Sequence, residues 1–432
     1  MKAITKFFEL DERKSDIKTE LRAGLTVYLT MAYILFVNPM ILKNAGVPFN
    51  ACLVGTAVAA GISCIMMGLF TNFPLALASG MGLNSMLAFN AILKYGISWQ
   101  TGMGLIFMDG LVVFLLVAVG LREAVMNAIP EELKHAIAVG IGLFLAFIGF
   151  MNGGIVMLNK QANILMAGNF AQPEVAVTLA GLLVISVLVS LRVRGGILIG
   201  IILNTLIAMA LGIVKIPESF VSAPDFSTIG ALDIAGAFKF SLIPVMISFI
   251  IVDFFDTLGT VTAIGYQAKL TESDGKIKNI SRILGIDAIA AMLGGICGSS
   301  STTTYIESAA GVSEGGRSGL TAITTGILFL LSVFIAPLAG IVPKEATAPA
   351  LIIIGFMMMD NIAKIKFDEY ETAIPAFIMF MAMPFTYSIS HGIGMGFITY
   401  SVLKISGGKA SEVHPLMYLT SAVFAVSFVF FN

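Results

Sequence analysis

Apolar runs near 20 residues long recur along the whole chain and alternate with short polar segments. Such a run, coiled as a helix, spans the ~30 Å hydrocarbon layer of a bilayer. The pattern predicts spans over 21–42, 51–70, 74–93, 101–121, 130–153, 173–191 and 195–214. After a polar segment, 215–239, it resumes over 240–266, 279–297, 302–313, 319–342, 343–360, 370–388 and 391–404. Residues 1–20 read as a polar, amphipathic, cytoplasmic arm. The segment 302–313 is too short and too polar to cross alone, so a half-helix preceded by an extended stretch is expected there. A final apolar run, 413–431, is left over, and the pattern leaves open whether it spans or lies along the periphery.

The basic residues orient these spans. With the N-terminus inside, the inner side collects six Lys and Arg in residues 1–22, then Arg122, Lys134, Arg192 and Arg194, and then Lys269, Lys276, Lys278, Arg282, Arg317, Lys364, Lys366, Lys404 and Lys409. The outer side holds only Lys43, Lys94, Lys160, Lys215, Lys239 and Lys344. Positive charge favours the cytoplasmic side, so the asymmetry supports the segment count and a cytoplasmic N-terminus.

An internal repeat is also legible. IPEELKHAIAVGIG (129–142) resembles VPKEATAPALIIIG (342–355) at one offset, matching Pro130 to Pro343, Glu132 to Glu345 and Gly142 to Gly355. GILIG (196–200) resembles GIGMG (392–396) in the same order. The halves hold seven spans each, an odd number, so the second must sit inverted relative to the first. Inverted repeats place a binding site near the midplane, at matching interruptions of the two halves.

Composition narrows the class. Of 432 residues, 57% are hydrophobic and 12% charged; a soluble protein carries about twice that charged share. No cleavable signal precedes the first span, because Met1 to Arg22 is polar and charged. A net charge of −1 gives no reason to expect nucleic acid. Cys52, Cys64 and Cys297 lie inside apolar runs and read as small packing residues. With three scattered histidines, no metal or haem site is expected, and no cofactor.

The chemistry concentrates in GICGSSSTTTYIESAAG (295–311), where six hydroxyl residues, Ser299 to Thr304, precede Glu307. A loop at the surface would carry such a run without consequence. At membrane depth, non-helical backbone persists only where protein or a water-filled cavity satisfies it. The counterpart in the first half is SGMGLNSMLAF (79–89), with Gly80 and Gly82 to free the backbone and Asn84 as the polar group. Close packing of small residues would account for the glycines alone. In span 240–266, Asp253 and Asp256 fall three apart on one helix face with no Lys or Arg in that span. A charge at the bilayer centre costs about 2.5–3.5 kcal/mol, so an isolated carboxylate there tends to take up a proton. Both acids also read as structural aspartates bonded to a helix N-terminus; Asp256 is favoured as a site because Thr257, Gly259 and Thr260 follow it. Asp109 and Asp287 read as packing or interfacial acids. Asp256 and Glu307 accept hydrogen bonds when ionised, while Asn84 donates and accepts. Two such acceptors suit a ligand with several N–H donors, such as an amide-bearing heterocycle, with Met81, Phe89 and Phe255 to cover ring faces. They do not suit an anion.

These residues together resemble a known family. RAGLTVYLTMAYILFVNP (22–39), GMGLNSMLAF (80–89), VDFFDTLGT (252–260), STTTYIESAAGVSEGGRSGLTA (301–322) and PALIIIGFMMM (349–359) are similar to the AzgA-like purine permeases, the hypoxanthine–adenine–guanine branch of the nucleobase–cation symporters. The resemblance covers residues 5–404. It implies an all-α polytopic protein of about fourteen segments as two inverted seven-span repeats, with short strands in segments 3 and 10. It implies a core domain of 1–121 and 240–342, a gate domain of 122–214 and 343–404, and leaves 405–432 as an extra apolar segment. The implied activity is import of a purine nucleobase with H+ across the cytoplasmic membrane by an elevator-type motion, not enzymatic catalysis. The implied substrate site comprises Asp256, Glu307, Asn84, Thr303 and Met81, with Asp256, Glu307 and Asp253 as proton-coupling acids. The superfamily often forms dimers through the gate domain. Thr260 stands where the uracil branch has histidine, so that branch's proton route does not transfer.

Two other classes fit less well. An inorganic anion exchanger of the same architecture lacks a central basic residue here. An intramembrane aspartyl protease needs acids on opposite sides of a peptide bond, which one helix turn does not supply, and no GxGD motif is present.

Overall fold

The first span begins earlier than its apolar run. Asp16 accepts the Thr19 N–H at 3.1 Å and caps α1, so residues 17–20 join the helix rather than the polar arm. In the structure, a computed structural model that describes residues 2–120, 129–159, 164–214, 223–270, 277, 279–335 and 341–430, the arm itself carries a short helix, Lys2–Phe7. Counting from the first span, the helices are α1 Ile17–Met31, α2 Ile34–Lys43, α3 Phe49–Thr71, α4 Met81–Ser85, α5 Trp99–Ala118, α6 Glu131–Asn152, α7 Pro173–Ser190 and α8 Gly196–Ala210. The second half follows with α9 Ile234–Ala237, α10 Ile243–Gln267, α11 Ile280–Cys297, α12 Ser308–Ser313, α13 Gly319–Leu331, α14 Lys344–Met358, α15 Tyr370–Phe385 and α16 Ile389–Ser406. The leftover run is α17, Pro415–Phe430. The chain is a multi-pass membrane protein: seven helical stretches among the described residues are long and apolar enough to cross a bilayer, and shorter apolar helices accompany them.

The two expected interruptions are present and meet each other. β1, Leu77–Ser79, pairs antiparallel with β4, Thr302–Thr304, in the register Leu77↔Thr304, Ala78↔Thr303 and Ser79↔Thr302. Each strand leads into a helix: β1 into α4 and a π-helical continuation, Met86–Leu93, and β4 into α12. A two-stranded unit at this depth has exposed edges, and side chains close them. The Cys64 thiol on α3 donates to the Leu77 carbonyl at 3.2 Å and accepts from the Leu77 N–H at 3.1 Å. A second hairpin, β2 Val156–Asn159 with β3 Ile164–Ala167, lies between α6 and α7 and was not expected. The polar stretch Asn159–Asn163 between two apolar quartets is the signal for it.

Helix packing falls into two groups. In one, α3 packs on α13 and α11, α5 on α11, and α1 on α13. In the other, α6 packs on α14 and α15, α15 on α16, and α7 on α8 and α14. Helix α10 runs between them and touches α5, α12 and β4 on one side and α6, α16 and α17 on the other. The repeat glycines face each other across the second group. A Cβ on Gly142 would lie 2.7 Å from the Gly355 carbonyl, and one on Gly355 would collide with the Gly142 carbonyl. Small residues let helix backbones approach in lipid, and here both halves contribute one.

Helix α17 lies antiparallel along the length of α16. Lys404 bonds Glu412 at one end, Ser401 and Ser421 are 2.9 Å apart midway, and the His391 and Phe428 rings meet at the other. The extra segment therefore sits at the same depth as α16. At the start of α13, Glu20 is buried and accepts from Arg317 N at 2.9 Å, Ser318 N at 3.2 Å and Thr321 Oγ1 at 2.5 Å. An acid at a helix N-terminus satisfies free N–H groups and complements the dipole.

Candidate functional site

Asp256 and Glu307 come together at the β1–β4 crossing. Glu307 is the residue before α12, and its Oε1 accepts the Tyr33 hydroxyl at 2.7 Å. Tyr33 itself is buried in the break between α1 and α2. Asp256 lies on α10 within electrostatic reach of Glu307, and its side chain is exposed while Glu307 is half-buried.

The exposure of Asp256 continues in one direction only. Ala263 and Gln267, seven and eleven residues on, share its helix stripe and are exposed. Phe249 and Val245, the same distances back, are fully buried. An opening therefore runs from Asp256 along α10 toward Gln267, the end nearest α12, where Gln267 Nε2 donates to Ser313 Oγ at 3.0 Å. Toward the other end the two helix groups close on each other. Phe89 stacks edge-on with Phe144 and Tyr387 at centroid distances of 6.2 and 5.3 Å, and Asn90 and Ser388 are 3.2 Å apart.

The other expected site residues are placed differently. Asn84 is fully buried, and its Nδ2 donates to Asn38 Oδ1 at 2.9 Å. Asn38 Nδ2 in turn lies 2.8 Å from Thr56 Oγ1, 3.1 Å from Ser79 Oγ and 2.9 Å from the Ser299 carbonyl. Ser79 Oγ donates to the same carbonyl at 2.6 Å. These bonds tie α2, α3 and α4 to β1 and to the Ser299 backbone that leads into β4. Asn84 thus braces the crossing through one N–H of its carboxamide, donated to Asn38. Thr303 is buried with its Oγ1 2.8 Å from Thr257 Oγ1. Met81 is buried at the first turn of α4. Gly80 and Gly82 are close approaches: a Cβ would lie 2.8 Å from Thr303 Cγ2 and 2.9 Å from Ile141 Cγ2, respectively. Asp253 is fully buried, with its Oδ1 3.5 Å from Ser301 Oγ. The side chain of Phe255 lies outside the described residues.

Sequence reasoning missed Tyr33, Asn38 and Tyr305, whose hydroxyl donates to the Ser79 carbonyl at 2.5 Å. It also set Asp287 apart, although its carboxylate accepts Thr257 Oγ1 at 2.7 Å and the Thr304 N–H on β4 at 3.1 Å. A tyrosine or asparagine inside an apolar run was the available signal, and only the fold supplies the partner. Chemically, the opening presents two acceptors, Asp256 and Glu307, beside apolar side chains, and no ion pair joins either acid among the described residues. No cluster of His, Cys, Asp and Glu suited to a metal is present among those residues.

The model of the Permease family matches residues 18–395. The guanine/hypoxanthine permease PbuG of Bacillus subtilis is 41% identical over 98% of this chain and 99% of its own length. The adenine permease AdeQ of Escherichia coli is 38% identical over 99% of this chain and 96% of its own. Among solved structures, the transmembrane domain of the cyanobacterial bicarbonate transporter BicA superposes with TM-score 0.59 and 15% identity over 95% of this chain and 97% of that one. SLC26A9 superposes with TM-score 0.65 and 12% identity over 91% of this chain and 67% of that one. These two share the inverted-repeat fold.

Proposed function

The chain belongs to the permease family, in its AzgA-like purine branch, and on that premise we propose that it imports purine nucleobases with protons across the cytoplasmic membrane. The observation that carries this reading is the pairing of Asp256 and Glu307, without a basic partner among the described residues, at an opening bounded by the two crossed half-helices. A purine presents N–H donors along its edges, and two carboxylates at the crossing accept them. Tyr33 holds Glu307 in place, while Asn38 and Asn84 brace the strands that position it. Met81 and Phe89 flank the base with apolar surface, and the Thr303 hydroxyl links the strand to Thr257 behind it. Asp256 accepts the coupling proton, which neutralises one of two neighbouring acids before the other grips the base.

Motion follows from the packing. The group holding β1, β4, α12 and the acids is the core domain, and the group of α6–α8 with α14–α16 is the gate. Sliding the core past the gate carries the site from one side to the other. The open stripe toward Gln267 faces the side on which the N-terminal arm and most basic residues lie, so the conformation is inward-facing with the outer side closed at Phe89, Phe144 and Tyr387. A second copy joins through the gate domain.

An anion-exchange reading draws on the fold shared with BicA and SLC26A9. Two carboxylates at the crossing repel bicarbonate or sulfate, which argues against it. Uptake of labelled hypoxanthine into proteoliposomes containing the purified protein decides between them. Adenine, guanine and unlabelled hypoxanthine should compete, and acid outside should accelerate uptake. Competition by bicarbonate or sulfate, with none from purines, would replace this function with the other.

A further inference from the structure

Beside the crossing, buried one helix turn from Asp256, three carboxyls from three helices converge: Asp109 on α5, Asp253 on α10 and Asp287 on α11. The helices are pressed together at this level. Val113, Phe254, Leu284 and Ala288, each next to or one turn from an acid, form one buried cluster. A Cβ added to Gly110 would lie 2.7 Å from the Ala288 carbonyl. Asp109 and Asp253 are fully buried and Asp287 nearly so.

Their hydrogen bonding is unequal. Asp287 is satisfied by Thr257 and Thr304. Asp253 keeps a long contact to Ser301 through Oδ1, and its Oδ2 has no partner among the described residues. Neither oxygen of Asp109 has one. Among the described residues, titratable groups on the elements packed around the trio include Asp256 on α10, Glu307 before α12, Arg282 in the exposed first turn of α11, Cys297 at that helix's far end, Cys52 and Cys64 on α3, Tyr305 after β4, Lys94 beyond the π-helical stretch, and Asp233 against the first turn of α5. None of them forms an ion pair with the trio among the described residues. Buried carboxylates without cations or donors repel one another and go unsolvated. A carboxylic acid in the same place supplies its own donor to the neighbouring oxygen. The vacant lone pairs of Asp109 and Asp253 therefore point to protons as the missing ligand.

We propose that Asp109, Asp253 and Asp287 form a proton store beside the substrate site, which receives the coupling proton from Asp256 and holds it while the core moves. This rests on the function proposed above. The proton enters on an Asp256 oxygen from the opening. Transfer breaks that O–H bond and forms one on Asp253 or Asp287, returning Asp256 to the anion, and release reverses the step. Thr257, next to Asp256 in the chain, donates to Asp287 and contacts Thr303 on β4, so a hydroxyl stands between the strand and the store. Asp109, which no other group satisfies, is the acid whose removal costs the store most.

The test uses purified protein in proteoliposomes, wild type and Asp109→Asn. The variant should bind hypoxanthine within threefold of wild type by calorimetry and should exchange labelled for unlabelled hypoxanthine. Accumulation driven by an acid-outside gradient should fall at least tenfold. Accumulation equal to wild type would overturn the proposal, as would wild-type accumulation that follows a sodium gradient and ignores pH. Infrared difference spectra provide a readout independent of transport: the wild type should show the carbonyl stretch of a protonated carboxyl that disappears in Asp109→Asn and in Asp253→Asn. An unchanged band in both variants rejects the store whether or not they transport. A wild type that neither binds nor exchanges hypoxanthine refutes the function proposed above, and the infrared band then decides the fate of the store separately.

Discussion

Replacing Tyr33 by Phe removes one oxygen from the site and leaves the ring. Its hydroxyl donates to Glu307 Oε1 at 2.7 Å from a fully enclosed position. A hydrogen bond to a charged group contributes about 1.5–3 kcal/mol, and a neutral one about 1 kcal/mol. If Glu307 accepts an N–H of the base, the Tyr33 bond fixes which oxygen faces it, so losing the bond frees the carboxylate to rotate. At about 1.4 kcal/mol per tenfold in Kd, hypoxanthine affinity should fall about 10–100-fold. The ring keeps its packing, so the melting temperature in detergent should move little. Calorimetric titration of both proteins with hypoxanthine at one pH reads the change directly. An unchanged Kd with intact fold would mean that Glu307 does not hold the base, and the placement of the ligand at the crossing would be wrong.

Other substitutions probe the rest of the account. Asp256→Asn and Glu307→Gln should each abolish labelled-hypoxanthine uptake while the purified proteins retain wild-type gel-filtration profiles; full uptake by both would remove these acids from the mechanism. Glu20→Ala leaves two backbone N–H groups and the Thr321 hydroxyl without their acceptor, at about 1–3 kcal/mol for each buried group left unsatisfied, and should lower the melting temperature by several degrees. Gly142→Leu should abolish folding or uptake because its Cβ meets the Gly355 carbonyl at 2.7 Å, whereas Gly285→Ala, with nothing within 4 Å, should leave both intact. The Thr19 N–H and hydroxyl hold the Asp16 carboxyl below its ordinary value. The ionised cap therefore stabilises the fold above the unfolded-state value, and that contribution is lost as pH falls through the lower folded value. Asp16→Ala should accordingly be destabilising at pH 7, with the difference from wild type shrinking in thermal melts as pH falls below the ordinary carboxylate range.

Much of the architecture was legible because lipid imposes one-dimensional rules. Span length, the side chosen by Lys and Arg, and the cost of polar groups at depth each act locally along the chain, so spans, inversion and both interruptions could be read. The matched Pro130 and Pro343, and Gly142 and Gly355, showed the repeat before any contact was known. What stayed hidden depends on which helix lies beside which. The polarity of Asn84 is visible in the sequence, but its partner Asn38 is 46 residues away and only the fold pairs them. Tyr33 looked like part of an ordinary span, since nothing local marks the break between α1 and α2. Asp109 looked like a lone acid because its convergence with Asp253 and Asp287 exists only once α5, α10 and α11 pack. The π-helical stretch Met86–Leu93 carries no Pro or Gly to announce it.

A density map of the protein with hypoxanthine bound tests the central claim most directly. The account predicts the base between the tips of the two half-helices, within hydrogen-bonding distance of Asp256 and Glu307. A base seated elsewhere, touching neither carboxylate, would contradict it.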